Sequence, residues 1–342
     1  MVATPSATPR TVMLCGPYLS GKTSLFEALL AEAGALQRHA APNGAFSLGD
    51  ASPEAKAHEM STEMNVATAD YLGQEWTFID CPGSVELLQD MRNALEVADV
   101  AVVVAEPDPG KVVTLDPYIK LLEEADIPHI VFINKFDKRD VSARALMEAF
   151  QAVSSKPLVL REVPIREGDK VTGFVDLVSE RAYHWEEGKP SSLILLPDSV
   201  AEREAEARTE MLESLSDFDD DLLEKLLEDI APSTDEVYVD LADDLANNLV
   251  VPVFFGSATH MNGVHRLMKA LRHEGPDVER TDQRLGVEDD GDAHVKVFKT
   301  VHAGHAGKMS LARVLNGKLK SGDNLNGERP ASIVRIFGKK TD

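Results

Sequence analysis

The chain has 342 residues, 43% of them hydrophobic, enough to bury a full core and to divide into more than one domain. A formal net charge of -23 argues against non-specific coating of nucleic acid or of an anionic membrane, because unpaired carboxylates repel phosphate. The two cysteines, Cys15 and Cys81, fall in or at the end of apolar strand-like runs, so no disulfide framework is expected and a reducing cytoplasm fits best. Residues 1–10 lack an apolar signal core, and no run reaches the roughly 18 apolar residues of a membrane span.

In chain order, a strand is expected over 11–15, a helix from Lys22, a strand over 76–80, a helix through Leu95 and a strand over 100–105. A helix over 115–125, a strand over 130–134 and a helix over 143–153 continue the alternation. It resumes much later with a strand over 251–255 and a helix over 264–271. This rhythm predicts an α/β fold with a doubly wound, mostly parallel sheet.

Between 150 and 250 the rhythm breaks. Strand-like segments at 158–163, 171–178 and 181–185 precede a long acidic helical piece at about 199–229. The stretch reads as an α+β subdomain, about 154–249, inserted in a first domain of 11–272. Its charge run DFDDDLLEKLLED keeps leucines at helical spacing, which gives one wet and one packed face, and it lacks the glycine and spaced oxygens of a calcium loop. Residues 1–10 read as a tail and 273–291 as a polar linker. The alternating segments HVKVFKTV, SLARVLNG and NGERPASIVRIFG in 292–342 read as the start of a β-barrel, too short to close.

Four motifs carry chemistry. Residues 16–23, GPYLSGKT, match GxxxxGK[ST] between a strand and a helix. Gly16, Pro17, Tyr18, Leu19, Ser20 and Gly21 would wrap phosphate with backbone N–H groups, and Lys22 would supply charge to the outer oxygens. Thr23 would offer a hydroxyl to Mg2+, with Ser24 following at the helix N-terminus. Asp80, Cys81, Pro82 and Gly83 form DxxG at a strand end, where Asp80 would hold a Mg2+-bound water and the Gly83 N–H would reach the terminal phosphate. Read alone, DCPG is equally a tight turn. Asn134, Lys135 and Asp137 belong to NKFD, whose carboxylate accepts from the N1–H and exocyclic amine of guanine, a donor pair adenine lacks. Ser257 and Ala258, in GSA after the last strand, fit a loop whose backbone contacts the guanine carbonyl. Together they point to GTP and GDP as ligands.

Taken in order and context, these motifs resemble the translational GTPases of the elongation factor G type. The segments LREVPIREGDKVTGFVDLVSERAYHW and VFKTVHAGHAGKMSLARVLNGKLKSGDNL are similar to that family's inserted subdomain and to the opening of its second-domain barrel. The resemblance covers the chain from Thr11 onward and implies an N-terminal portion of a GTPase that docks on the ribosome, with no oligomer required. It also exposes departures. Ser84 stands where the family has the histidine that orients the attacking water, so no catalytic residue is assigned. Leu19 replaces an aspartate of the family's phosphate loop. In the switch segment HEMSTEMNVA, Glu63 takes the place of the family's metal-binding threonine, and Thr62 serves only if the register shifts by one. His58 is a candidate substitute for the missing histidine; its plainer reading is a solvated loop residue. Two functions stay open: a GTPase with slow intrinsic turnover, and a GTP-dependent binding switch with negligible hydrolysis and a role other than translocation.

Overall fold

The computed structural model describes residues 8–36, 48–49, 53–58, 60–138, 141–186, 189–288, 292–302, 307–338 and 340–341, so most of the expected tail lies outside the described residues. In chain order the elements are β1 (Arg10–Cys15), α1 (Lys22–Glu32), α2 (Pro53–His58), β2 (Asn65–Tyr71), β3 (Gln74–Asp80), α3 (Leu88–Leu95), β4 (Val100–Ala105), α4 (Asp116–Glu124), β5 (His129–Ile133), α5 (Ala143–Gln151) and β6 (Leu158–Leu160). There follow β7 (Glu162–Glu167), β8 (Lys170–Asp176), β9 (Arg181–Glu186), β10 (Lys189–Ile194), α6 (Asp198–Ser216), α7 (Asp220–Leu227), α8 (Thr234–Ala246), β11 (Val251–Phe255), α9 (Val264–His273) and α10 (Val278–Leu285). The C-terminal segment adds β12 (His294–His302), β13 (Lys308–Asn316), β14 (Ile336–Phe337) and β15 (Lys340–Thr341).

Strands β3, β1, β4, β5, β11 and β6 lie side by side in that order, all parallel, and β2 runs antiparallel on the outer side of β3. The central strands are buried from end to end, because helices cover both faces. Met13, Cys15, Val103 and Ile133 face α3, α4 and α5, whereas the alternate residues Val12, Leu14, Val102 and Phe132 face α1 and α9. This is the doubly wound sheet expected from the alternation of runs. Strand β2 was not anticipated. It joins β3 through a two-residue turn in which Leu72 and Gly73 both have positive φ, 51° and 80°, the geometry that matches strand twist.

The chain leaves the main sheet at Arg161, after β6 has paired with β11. Strands β7 to β10 form their own antiparallel sheet, and α6, α7 and α8 close over β6 and β7 through Met211, Leu215, Leu222, Val237 and Leu241. The acidic run follows the wet-and-packed reading only in part: Leu222 is buried and Asp219 caps α7 by accepting from Leu222 N, whereas Leu223 and Leu227 are exposed. Two loci join this subdomain to the main sheet. One is an aromatic stack in which Phe255 of β11 contacts Phe136 at 4.6 Å and Trp185 of β9 at 6.4 Å. The other is a buried charge cluster.

In that cluster Arg161 and Arg266 face Glu162, Asp176 and Glu274, all of them buried. Arg161 pairs with Glu274 through two contacts, one at 3.2 Å, and Arg266 Nη2 lies 2.6 Å from Asp176 Oδ2. Both guanidinium groups lie over the Phe254 ring, at 5.3 and 5.1 Å. Two cations cannot neutralise three ionised carboxylates in a dry site. Burial resolves the imbalance by pushing Glu162 from 4.5 up to about 8, so it is protonated at neutral pH. At Asp176 burial acts the same way, but Arg266 and Arg161 outweigh it and hold the carboxyl below its ordinary range.

Residues 273–288, the described part of the expected polar linker, do more than link. Asp277 caps α10, Thr281 donates to Asp99, and Arg284 donates to the Leu95 and Ala98 carbonyls, so side-chain hydrogen bonds anchor the helix in place of an apolar stripe. Beyond it, β12 and β13 form an antiparallel pair. Arg313 of β13 reaches both Asp99 oxygens at 2.8 Å, and Lys299 and Lys296 of β12 pair with Asp90 and Glu96 at 2.7 and 2.6 Å. Of the third expected strand, 326–338, only Ile336–Phe337 is strand. It pairs with β2 at Ala67 and extends the main sheet.

Glu162 ionises near 4.5 when unfolded and near 8 when folded, so its contribution to stability is whole below pH 4.5 and is lost as pH rises to about 8. Glu162→Gln is expected to be close to neutral at pH 5 and to remove part of the wild-type fall in melting temperature between pH 5 and pH 8, read by thermal denaturation.

Candidate nucleotide site

Every motif residue sits at the carboxyl edge of the parallel strands, where such sheets hold ligands. The loop 16–21 leads from β1 into α1, whose first turn has no side-chain cap, leaving its N–H groups directed at the loop's concave side. Gly21 has φ 92°, and a Cβ there would strike the Asn134 amide nitrogen. Leu19 has φ 65° without being glycine, and the residue is 61% exposed. Tyr18 is also exposed, whereas Ser20 and Lys22 are buried.

Lys22 Nζ donates to Pro17 O at 2.9 Å across the loop. Thr23 Oγ1 donates to Asp80 Oδ2 at 2.8 Å, and Asn65 Nδ2 donates to the same oxygen at 3.4 Å. Ser61 Oγ stands 3.3 Å from Thr23 Oγ1. In the switch segment, then, the hydroxyl brought to Thr23 is that of Ser61; Thr62 is half-buried one residue further on. His58 is exposed at the end of α2. Thr23, Ser61 and Asp80 together offer hard oxygen donors, the chemistry that suits Mg2+.

Cys81, Pro82 and Gly83 follow Asp80 and are all buried. A Cβ on Gly83 would clash with Lys22 Nζ and lie 2.8 Å from Tyr18 N, so only glycine brings this strand end against the loop. Tyr118 of α4, buried and unforeseen, donates from its hydroxyl to Gly83 O at 2.8 Å; burial pushes its phenol up to about 12. Ser84, half-exposed, donates its hydroxyl to the Glu86 carboxylate, and this bond holds Glu86 below its ordinary range. Burial likewise pushes the Cys15 thiol up to about 12 and Cys81 well above its ordinary value, so these two free cysteines are inert packing residues.

Asn134 is spent on tying loops together. Its Nδ2 donates to Ser20 O at 2.9 Å, and its Oδ1 accepts from Ala258 N and Lys135 N, each at 2.9 Å. Lys135, with φ 60°, sends Nζ to Leu19 O and to Glu106 Oε1 at 2.7 Å. Burial pushes Glu106 up, but Lys111 and Lys135 outweigh it and hold it below its ordinary range. No motif flagged Glu106; its place directly after β4 was the available signal. Asp137 Oδ2 lies 3.2 Å from His260 Nδ1, while Oδ1 is buried with no hydrogen-bond partner among the described residues.

A glycine-rich loop entering a helix, a strand-end DxxG against it and an NKxD loop tied to both define a P-loop GTPase domain. A family model, elongation factor Tu GTP binding domain, matches residues 8–277. An elongation factor G-like protein of Synechocystis sp. is 41% identical over 333 residues, 97% of this chain and 50% of that protein. Elongation factor G of Rhodopirellula baltica is 27% identical over 94% of this chain and 49% of its own. A crystal structure of a Thermus thermophilus protein superposes with a TM-score of 0.88 at 30% identity, covering 98% of this chain and 50% of that one. The chain belongs to the translational GTPase family, and it spans about half the length of the curated relatives it matches.

Because Asn134 joins Ser20, Lys135 and Ala258 without any ligand, Asn134→Ala is expected to cost about 1–3 kcal/mol of stability in nucleotide-free protein. Urea denaturation checks this; an unchanged midpoint would show that the loops hold together by other means.

Proposed function

We propose that this chain is the nucleotide-binding portion of a cytoplasmic translation factor of the elongation factor G type, which binds GTP or GDP with Mg2+ and acts at the ribosome. The observation that carries the reading is the gathering of Lys22, Thr23, Asp80 and Gly83 at one strand edge, with the Asn134 amide tying the loop that bears Asp137 to the Ser20 carbonyl. Lys22 and the loop N–H groups bind the phosphates. Thr23 and Asp80, the latter through water, with Ser61 as the nearest switch hydroxyl and Thr62 as the alternative, would hold Mg2+, which would neutralise charge on the outer phosphate oxygens. Asp137 accepts from guanine, and Ser257 and Ala258 frame the base. Family membership and the absence, among the described residues, of any helix long and apolar enough to cross a membrane both fit such a factor.

Hydrolysis is slow in this reading. Ser84 is too short to reach a water that a histidine would orient, and its hydroxyl is engaged by Glu86. The second reading, a binding switch with negligible hydrolysis, draws on that same contact: the nucleotide then orders the segment around Ser61 and Asn65 against Thr23 and Asp80 without being consumed.

Lys22→Ala is expected to abolish GTP and GDP binding by equilibrium titration, and retained affinity would sink the phosphate-loop assignment. Single-turnover GTP hydrolysis with and without ribosomes, comparing wild type with Ser84→His, separates the two readings. Strong ribosomal stimulation of the wild type establishes a working GTPase; stimulation of the variant alone, or of neither, establishes the switch.

A further inference from the structure

We infer that Tyr118 is a positioning residue for the terminal phosphate: its hydroxyl holds the Gly83–Ser84 peptide and so keeps Gly83 set against the phosphate loop before a nucleotide arrives. This rests on the reading of Gly83 as the residue whose N–H meets that phosphate. Tyr118 lies in the first turn of α4, is 2% exposed and donates to Gly83 O at 2.8 Å.

The weight of this one bond follows from how little else holds the segment. Cys81 N donates to Leu14 O at 3.0 Å, at the end of the ladder between β3 and β1. Beyond it the bonds of residues 82–87 are local: Leu87 N donates to Ser84 O at 3.0 Å, and the Ser84 hydroxyl donates to Glu86. Val85 and Glu86 are exposed. Among the described residues, the Tyr118 hydroxyl makes the only hydrogen bond between 82–87 and another part of the chain. The ring of Pro82 sets its own φ, whereas Gly83 has no Cβ to restrict it, so rotation at Gly83 is the main freedom between the Cys81 tie and the Tyr118 tie. Anchoring its carbonyl removes that freedom. It does so with Gly83 packed on the loop, where a Cβ would stand 2.8 Å from Tyr18 N and 2.9 Å from Pro17 C. Gly83 N donates to no acceptor among the described residues, so this donor is spare. An N–H placed in advance loses less freedom on binding, and only a nucleotide with a terminal phosphate gains by it. Tyr118 therefore favours GTP over GDP.

The test is equilibrium binding of GDP and of a β,γ-methylene analogue of GTP to the full chain, with thermal denaturation of each nucleotide-free variant. Tyr118→Phe keeps the ring in the core and removes only the donor. It should weaken the GTP analogue by roughly 5-fold, the scale of one neutral hydrogen bond, and leave GDP unchanged. Hydrogen exchange of the nucleotide-free variant, read by mass spectrometry, should be faster over residues 83–88 and unchanged in β1 and β4. Gly83→Ala should by itself lower the ratio of GTP-analogue to GDP affinity, and adding Tyr118→Phe should lower it no further. If Tyr118→Phe weakens both nucleotides equally, or neither, while Gly83→Ala lowers the ratio, Tyr118 only packs and the inference falls with the Gly83 assignment intact. Unchanged exchange over 83–88 also overturns it. A wild-type ratio retained in Gly83→Ala overturns the reading of Gly83 and this inference with it.

Discussion

One side-chain amide holds the loops of the candidate nucleotide site together. Asn134 accepts from the backbone of the loop after β11 and donates to the backbone of the loop after β1, and it also braces the next residue of its own loop. Three segments separated by more than a hundred residues thus share a single planar group with fixed donor and acceptor directions. The left-handed conformations of Leu19 and Lys135 persist beside it because Lys135 Nζ donates to the Leu19 carbonyl, so each strained residue helps to hold the other.

Around Gly83 the candidate site depends on close approach in place of a tie. Gly83 lets the end of β3 lie against Lys22 and Tyr18, and Tyr118 pins its carbonyl from behind. The segment after Gly83 is bound to its surroundings by charge: Asp90 accepts from Met64 N on one side and from Lys299 of β12 on the other, each at 2.7 Å. The segment that carries Ser61 is thereby connected through α3 to the C-terminal strands. Next to the Asn134 loop, the Phe136, Phe255 and Trp185 stack and the bond from Phe255 N to Glu162 join β11 to strands of the inserted subdomain.

Much of this was legible because the signals are local. Strands covered by helices on both faces read as unbroken apolar runs, and a glycine-rich loop between strand and helix has one dominant chemistry. Strand β2 escaped notice because NVATADY is half polar and its hairpin turn is Leu-Gly in place of the commoner Asn-Gly. Helix α10 escaped because polar bonds to Asp99 and to the Leu95 and Ala98 carbonyls hold it, which no apolar period reveals. The segment 326–338 alternates like a strand, yet most of it pairs with nothing described; its last residues join the edge of β2.

The sequence by itself determined the doubly wound sheet, since unbroken apolar runs alternating with helical pattern dictate it, and it marked the segments expected as an insertion and as phosphate and base loops. Only the tertiary structure decided which groups meet: that Ser61 is the switch hydroxyl beside Thr23, that Ser84 turns to Glu86, that Tyr118 supports Gly83, and that His260 stands against Asp137. Those contacts join residues from different loops, or depend on the rotamer a side chain adopts once packed, and neither is encoded in any window of neighbouring residues.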